Sequence, residues 1–445
     1  MNSQEKIANF IEKMEDISIP EEILHDIKYR VVDWLGCAVI GKSYPQSHIA
    51  GQFVEECNQQ EEVLVIGSKE KVSLLDGIFL NGIMGHVAEL DDGHRVAIGH
   101  PGSVTVPVAL GFGERYGCSE MDFLKAVLVG YEVFIRLGCV VNPSHYHYWH
   151  TTGTCGTFAA AATAAYLLKL NHKQIVNALG IAGTMASGLQ QTFGTYAKSL
   201  NIGQACRNGG LAALLAQRGF TGPADIIMGP KGFVRATSVD ATEEPLNEIN
   251  QMRFLANTAF YKIYASCGHT NSPLDAVFHI LNNRRIIAEE VRKISVETYK
   301  TSVEITGRLA CETEDQAKFS LPYCIAIAIL YGKVSLNEFK PEILHSKEVL
   351  ALAEKVSVAE SPAATAAFPE RQAKVSIYLT NGECICKEIL HSNDTPDYNQ
   401  IESKFLEAIR YSGYGETFAK SFLTTILALD HEDSLDNLQD PIRRI

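Results

Sequence analysis

Apolar residues recur at helical spacing through most of the first 270 positions, and at alternating spacing only after that. Residues 23–40, 72–88, 104–116 and 119–140 each present the apolar periodicity of a helix. The last of these opens with Ser119-x-x-Asp122, a capping pattern. Residues 151–170 are rich in Gly and Ala, which lets neighbouring helices approach closely, so this helix is expected to be central and buried on all sides. Residues 171–187 and 204–218 are two further helices, with Lys198 to Gly203 leading into the second and Gly219 stopping it. Beyond Ala265 the pattern changes. Residues 291–301, 374–379 and 383–390 alternate β-branched positions, and Asn381-Gly382 joins the last two as a hairpin. Residues 316–331 and 347–355 read as helices between these strands, and helix returns from Asn399, with 423–429 as its last run.

The fold class expected is mainly α. Residues 1–265 and 395–445 form a helical domain, and 266–394 a smaller, lid-like α+β domain. At 445 residues two domains are the natural division. Composition narrows the function classes. A formal net charge of −13 argues against nucleic acid as a partner. No apolar run reaches membrane-spanning length, so no membrane partner is expected, and the charged amphipathic start has no signal-peptide core. Eleven scattered cysteines point to reduced thiols and a cytoplasmic setting. Cys384 and Cys386 are expected to pack on one face of a strand, and no cysteine pairing has the spacing of a structural zinc site.

The ionisable residues concentrate where predicted helices meet loops. Glu89, Asp91, Asp92, His94, Arg95 and His100 crowd into one loop, with Pro101 placed to open the next helix. A second group, His145 to His150, precedes the Gly/Ala-rich helix. Its Thr151-Thr152-Gly153-Thr154 start offers a hydroxyl cap and backbone N–H groups suited to an anion. A third holds Lys198, whose apolar surroundings suggest partial burial, and Arg207. A fourth is KIYASCGH, with Lys262, Cys267 and His269. These are groups for proton transfer and carboxylate binding, and no nucleophile elbow or HExxH motif accompanies them. Blander readings apply to the first three. The DDGH loop can be a solvated cap, His145 and His147 an exposed loop, His150 a residue flanking a cap, and Lys198 a surface lysine. Glu132 and Arg136, four apart, are expected to pair with each other. A metal-assisted hydrolase using Asp92, His94 and His100 is a rival chemistry.

Five blocks carry a resemblance across nearly the whole chain. They are HVAELDDGHRVAIGHPGS at 86–103, WHTTGTCGTFAAAATAAYLLKL at 149–170, AKSLNIGQACRNGGLAALLAQRGFTGP at 197–223, KIYASCGHTNSPLDA at 262–276 and QAKFSLPYCIAIAILYGK at 316–333. In this order they resemble the MmgE/PrpD family, which includes 2-methylcitrate dehydratase, cis-aconitate decarboxylase and iminodisuccinate epimerase. The resemblance implies a helical domain built from both chain ends plus a smaller α+β domain. It also implies a homodimer, no metal or organic cofactor, and a small polycarboxylate substrate. It makes His100, His150, Lys198 and Lys262 the expected catalytic residues. Glu89, Asp91, Asp92, His94, Arg207, Cys267 and His269 are expected to bind substrate. The chain departs from the decarboxylase pattern Asp-Phe-Asp-Asp-Thr, reading Glu89-Leu90-Asp91-Asp92-Gly93, and it has Cys267 near the position of a family histidine. The implied activity is a lyase of dehydratase or decarboxylase type. An epimerase of a dicarboxylate, or an inactive polycarboxylate-binding homologue, are the alternatives.

Overall fold

The computed structural model describes residues 1–57, 60–309, 311–392, 396–430 and 434–445. The chain begins with α1 (Ser3–Lys13), α2 (Glu21–Gly41) and α3 (Pro45–Cys57), then a two-strand ribbon, β1 (Val63–Leu64) and β2 (Lys71–Val72). It continues through α4 (Leu74–Val87), α5 (Gly102–Tyr116), α6 (Glu120–Val141), α7 (Thr151–Leu167), α8 (His172–Met185) and α9 (Ala197–Gln217) to the short α10 (Phe233–Thr237) and α11 (Glu244–Asn247). Next come α12 (Asn271–Asn283), β3 (Val291–Thr298), α13 (Lys300–Thr306), α14 (Glu314–Ala317), α15 (Leu321–Tyr331), α16 (Pro341–Leu344), α17 (Lys347–Ala353) and β4 (Val356–Glu360). After α18 (Pro362–Ala366), β5 (Ala373–Leu379) and β6 (Cys384–Ile389), the chain ends in α19 (Tyr398–Tyr411), α20 (Glu416–Leu427) and α21 (Asp436–Arg443). One compact unit is Met1–Tyr261 with Asp397–Ile445, and the other is Lys262–Pro396. The sequence break at 265/266 compares with Tyr261/Lys262 here; its counterpart at 394/395 lies outside the described residues. The architecture is mainly α, as the periodicity predicts.

In the first unit α7 is buried along its whole length and packs against α5, α6, α8 and α9. Its small residues allow this. A Cβ built on Gly209 of α9 would stand 2.4 Å from Ala160 Cβ of α7. Caps fix several ends as the sequence predicts. Ser119 accepts from Asp122 N at the start of α6, and Gly219, with φ +92°, terminates α9. Two expectations are corrected. The first 270 residues are less uniformly helical than their periodicity suggests, because β1 and β2 pair and the stretch after α9 holds only short turns of helix. α9 also begins at Ala197, not Gln204, so Lys198 lies in its first turn. Gly203, expected in the lead-in to the helix, lies inside it and serves packing. A Cβ there would meet Phe79 O of α4 at 2.6 Å. Among the described residues no helix is long and apolar enough to cross a membrane.

The second unit is built on a sheet ordered β4-β3-β5-β6, in which β3 and β4 are parallel and the other pairs antiparallel. Val296 faces Val375 and Ile377 faces Ile385 across it. The Asn381-Gly382 hairpin forms, with Gly382 at φ +91°. Helix α12 packs on β5 and β6. The packing role expected for Cys384 and Cys386 is corrected. They do share a face, but on the edge strand β6 they are exposed, and it is Ile385, Lys387 and Ile389 that are half-buried.

Candidate active site

Helix α4 is apolar all round and buried, so the histidine in its last turn, His86, is delivered into the protein interior. The chain then leaves the helix through Glu89, whose φ of +57° lies in the left-handed region that non-glycine residues rarely adopt. The loop carries Asp91, Asp92, His94 and His100, with Pro101 capping α5 as the sequence predicts. It is a buried loop, not a solvated cap: Glu89, Asp91, Asp92 and His94 are all buried. Lys404 of α19 donates to the Leu90 carbonyl at 2.6 Å and to Asp33 of α2 at 2.6 Å, so both ends of the chain hold the loop.

Four side chains make a continuous buried row. The Lys198 ammonium donates to the Glu89 carboxylate and to His86 Nε2, the latter at 2.7 Å. On the far side of the ring, His86 Nδ1 lies 2.7 Å from Asp91 Oδ2, which also accepts Ser103 Oγ at 2.6 Å. His100 and His150 flank this row, their rings 4.8 and 5.9 Å from that of His86. His100 Nδ1 is 2.6 Å from the Asp92 backbone carbonyl and 3.3 Å from Asp91 Oδ2. A carbonyl can only accept, so Nδ1 carries the proton and the basic lone pair is on Nε2. His150 is the N-cap residue of α7, and its ring meets Phe193 edge-on at 5.1 Å. Asn201 Nδ2 donates to its Nδ1 at 3.3 Å, which puts the proton of the neutral ring on Nε2. Burial, and then the neighbouring Lys198, His86 and His100, hold His150 well below the usual histidine range, so the ring is neutral. The hydroxyl cap expected at this helix start is different in the structure. No side chain caps α7, and Thr152 Oγ1 instead accepts from His100 N at 3.2 Å.

The remaining candidates divide. Asp92 is spent on architecture. It accepts from Gly102 N at 3.1 Å and Tyr131 Oη at 2.7 Å, and Arg30 lies 3.6 Å away. Burial pushes its carboxyl up to about 7. His94 uses both nitrogens inside the loop region, Nδ1 accepting from Ala97 N and Nε2 meeting Thr258 Oγ1, each at 2.9 Å. These bonds hold both residues in the loop's own framework, outside the row. Arg207 lies apart from these. Half-exposed on α9, it pairs with Asp76 at 3.5 Å and does not join the row. Lys262, Cys267 and His269 belong to the second unit, where His269 Nδ1 meets Tyr299 Oη at 2.7 Å. Glu132 and Arg136 pair at 3.1 Å as their spacing predicts. His147 is exposed, but His145 is buried against Thr154 Oγ1 at 2.8 Å, contrary to the exposed loop expected for it.

Sequence reading missed His86, Ser103, Asn201 and Phe193. Only His86 left a signal, as an ionisable residue inside an apolar helical run. Among the described residues, His86, Asp91 and His100 bring donor atoms within 4.8 Å of one another, a spacing that a metal ion could bridge. Here those atoms bond to each other and to the Asp92 carbonyl, and the Lys198 ammonium beside His86 opposes a second cation. The arrangement can therefore hold an anion at Lys198 and move a proton at an imidazole.

The MmgE/PrpD N-terminal domain model matches residues 5–245 and the C-terminal domain model residues 264–416. The chain is 27% identical to cis-aconitate decarboxylase of Aspergillus terreus over 80% of this chain and 78% of the relative. It is 24% identical to the mouse (Mus musculus) cis-aconitate decarboxylase over 85% and 80%. With 2-methylcitrate dehydratase of Escherichia coli it shares 20% over 85% and 83%. Matched by both domain models, the chain belongs to the MmgE/PrpD family.

Proposed function

We propose that the chain is a lyase that acts on a small di- or tricarboxylate through acid–base chemistry of its own side chains. The observation that carries this reading is the buried row Glu89–Lys198–His86–Asp91 with His100 and His150 beside it. The names of the decarboxylase and dehydratase relatives support it.

Lys198 would exchange its contact with Glu89 for a carboxylate of the substrate. Lys262 is proposed as a second carboxylate-binding lysine on its place in the KIYASCGH block alone. His100 would take the proton beside that carboxylate on Nε2, and Asp91, 3.3 Å from Nδ1, would balance the positive ring so formed. Neutral His150 would donate a hydrogen bond from Nε2 to the negative charge that builds up. In a dehydration, the electron pair left on carbon forms the double bond. The carbon–oxygen bond breaks, and His100 returns its proton to the departing hydroxyl, which leaves as water. A decarboxylase would protonate the carbon that lost carbon dioxide, and an epimerase would return a proton to the opposite face.

A homodimer in the cytoplasm is proposed with this activity. Tyr148, Leu189, Tyr196 and Leu200, all exposed near the site, are the apolar surface such an interface would cover. Sedimentation of the purified protein as a monomer would remove that part.

Proton NMR in heavy water with 2-methylcitrate, citrate, cis-aconitate, iminodisuccinate, malate and tartrate tests the reaction. A new vinyl signal supports the lyase. Deuterium entering beside a carboxylate without elimination moves the assignment to an epimerase, and saturable binding without turnover or exchange to an inactive homologue. His150→Ala and Lys198→Ala are each expected to lose at least about a hundredfold in turnover. Near-normal turnover in either variant would remove that residue from the site.

A further inference from the structure

A lysine ammonium sits at the end of a flexible four-carbon stem and does not hold one position without help. Lys198 has two acceptors on different elements, Glu89 in the loop and His86 on α4. If a substrate carboxylate takes the place of Glu89, the contact with His86 can persist. That contact has a strict requirement. An ammonium is a donor only, so His86 Nε2 must bear no proton, and the proton of the neutral ring must sit on Nδ1. Asp91 Oδ2, 2.7 Å from Nδ1, accepts that proton's hydrogen bond, and Ser103 Oγ at 2.6 Å fixes the carboxylate. The opposite tautomer would set two donors against each other at 2.7 Å. His86 and Asp91 are each 1% exposed, so water cannot take over either contact.

We propose that His86, locked in its Nδ1–H tautomer by Asp91, is the positioning residue that holds the Lys198 ammonium where a substrate carboxylate binds. The inference deepens the proposed function and rests on its assignment of Lys198. The logic is that of a carboxylate–histidine pair, in which the outer group sets the tautomer and the ring orients the next partner.

Two substitutions separate the two ends of the ring. The oxygen of His86→Gln reaches about as far as Nε2 and can accept from Lys198. His86→Asn reaches only about as far as Nδ1 and cannot. His86→Gln should keep turnover over KM within about tenfold of wild type, whereas His86→Asn should lose about a hundredfold, the scale of a misplaced reacting group. Asp91→Asn can offer its amide N–H to Nδ1 and so favour the wrong tautomer, and should lose about as much as His86→Asn.

Nitrogen-15 NMR of histidine-labelled protein, without substrate, reads the tautomer directly. The expected wild-type pattern is a protonated Nδ1 and an unprotonated Nε2 on His86, reversed in Asp91→Asn. A charged ring or an Nε2–H tautomer in wild type would overturn the inference, as would wild-type kinetics in His86→Asn or the loss of His86→Gln alongside it. An intact tautomer together with full activity in Lys198→Ala would overturn the role of Lys198, and with it the need for His86. Because the tautomer is measured apart from turnover, the two failures are distinguishable.

Discussion

Two histidines of the first unit are kept neutral by burial, and this has a pH signature. Burial pushes His145 down to about 4 from the ordinary histidine value and holds His150 well below it. Between about pH 4 and 6.5 the unfolded chain binds a proton at position 145 that the folded chain does not. The stability His145 contributes as a neutral group is therefore complete above about pH 6.5 and lost as pH falls toward 4. His145→Gln removes the titration and keeps a polar contact for Thr154. The drop in unfolding free energy between pH 7 and 5 should shrink by about 2 kcal/mol in that variant. An unchanged pH dependence of denaturant midpoints would show that His145 is charged in the fold. The sequence could not foretell this, because HYHYWH looks like an exposed polar run until Thr154 and Phe233 close over its first residue. His86 left a signal, an ionisable residue in an apolar run, but its role was hidden for a related reason. A histidine in the last turn of an apolar helix reads as a dipole-pairing terminus, and its partner Lys198 is 112 residues away in sequence.

At the scale of elements, periodicity and caps were the most readable features, and glycines packed inside helices were the least. The breadth of α7 followed from its alanines, and the β5–β6 hairpin from Asn-Gly. The start of α9 did not follow, because a glycine that lets two helices touch and a glycine that ends a helix are the same letter. Gly203 and Gly209 are of the first kind. A Cβ at Gly209 would meet Ala160 Cβ at 2.4 Å and the Thr157 carbonyl at 2.6 Å, and the carbonyl cannot move without moving α7. Gly209→Ala should therefore cost about 1–3 kcal/mol, the usual cost of overpacking. It should also lower activity, because α7 and α9 begin with the residues that hold His150 and Lys198 in place. Gly51 in α3 has nothing within 4 Å of a built Cβ. Gly51→Ala should raise stability by about 0.4–1 kcal/mol, since it removes only unfolded-chain freedom. Calorimetric melting of the pair separates packing glycines from incidental ones, and equal shifts would refute the close approach of α7 and α9.

For the whole molecule, the return of the chain to its first unit is what completes the candidate site's support. α19 packs on α2, and Lys404 joins Asp33 to the Leu90 carbonyl, the residue between Glu89 and Asp91. A further tie runs from Lys28 to Asp430 at 2.8 Å. The pattern after Asn399 predicts helix, but no periodicity says that a lysine there will neutralise a carboxylate buried on α2. Asp33 is 1% exposed, and burial holds its carboxyl above the usual range even with Lys404 beside it. Lys404→Met strips away the cation and leaves that carboxylate unpaired, so stability should fall by about 3–5 kcal/mol. Changing Asp33→Asn in the same chain removes the buried charge and should restore most of the melting temperature. Neither variant restores the donor to Leu90, so the double variant should regain stability while activity stays depressed. If activity returned in step with stability, the Lys404–Leu90 contact would be incidental, and α19 would support the fold without supporting the loop.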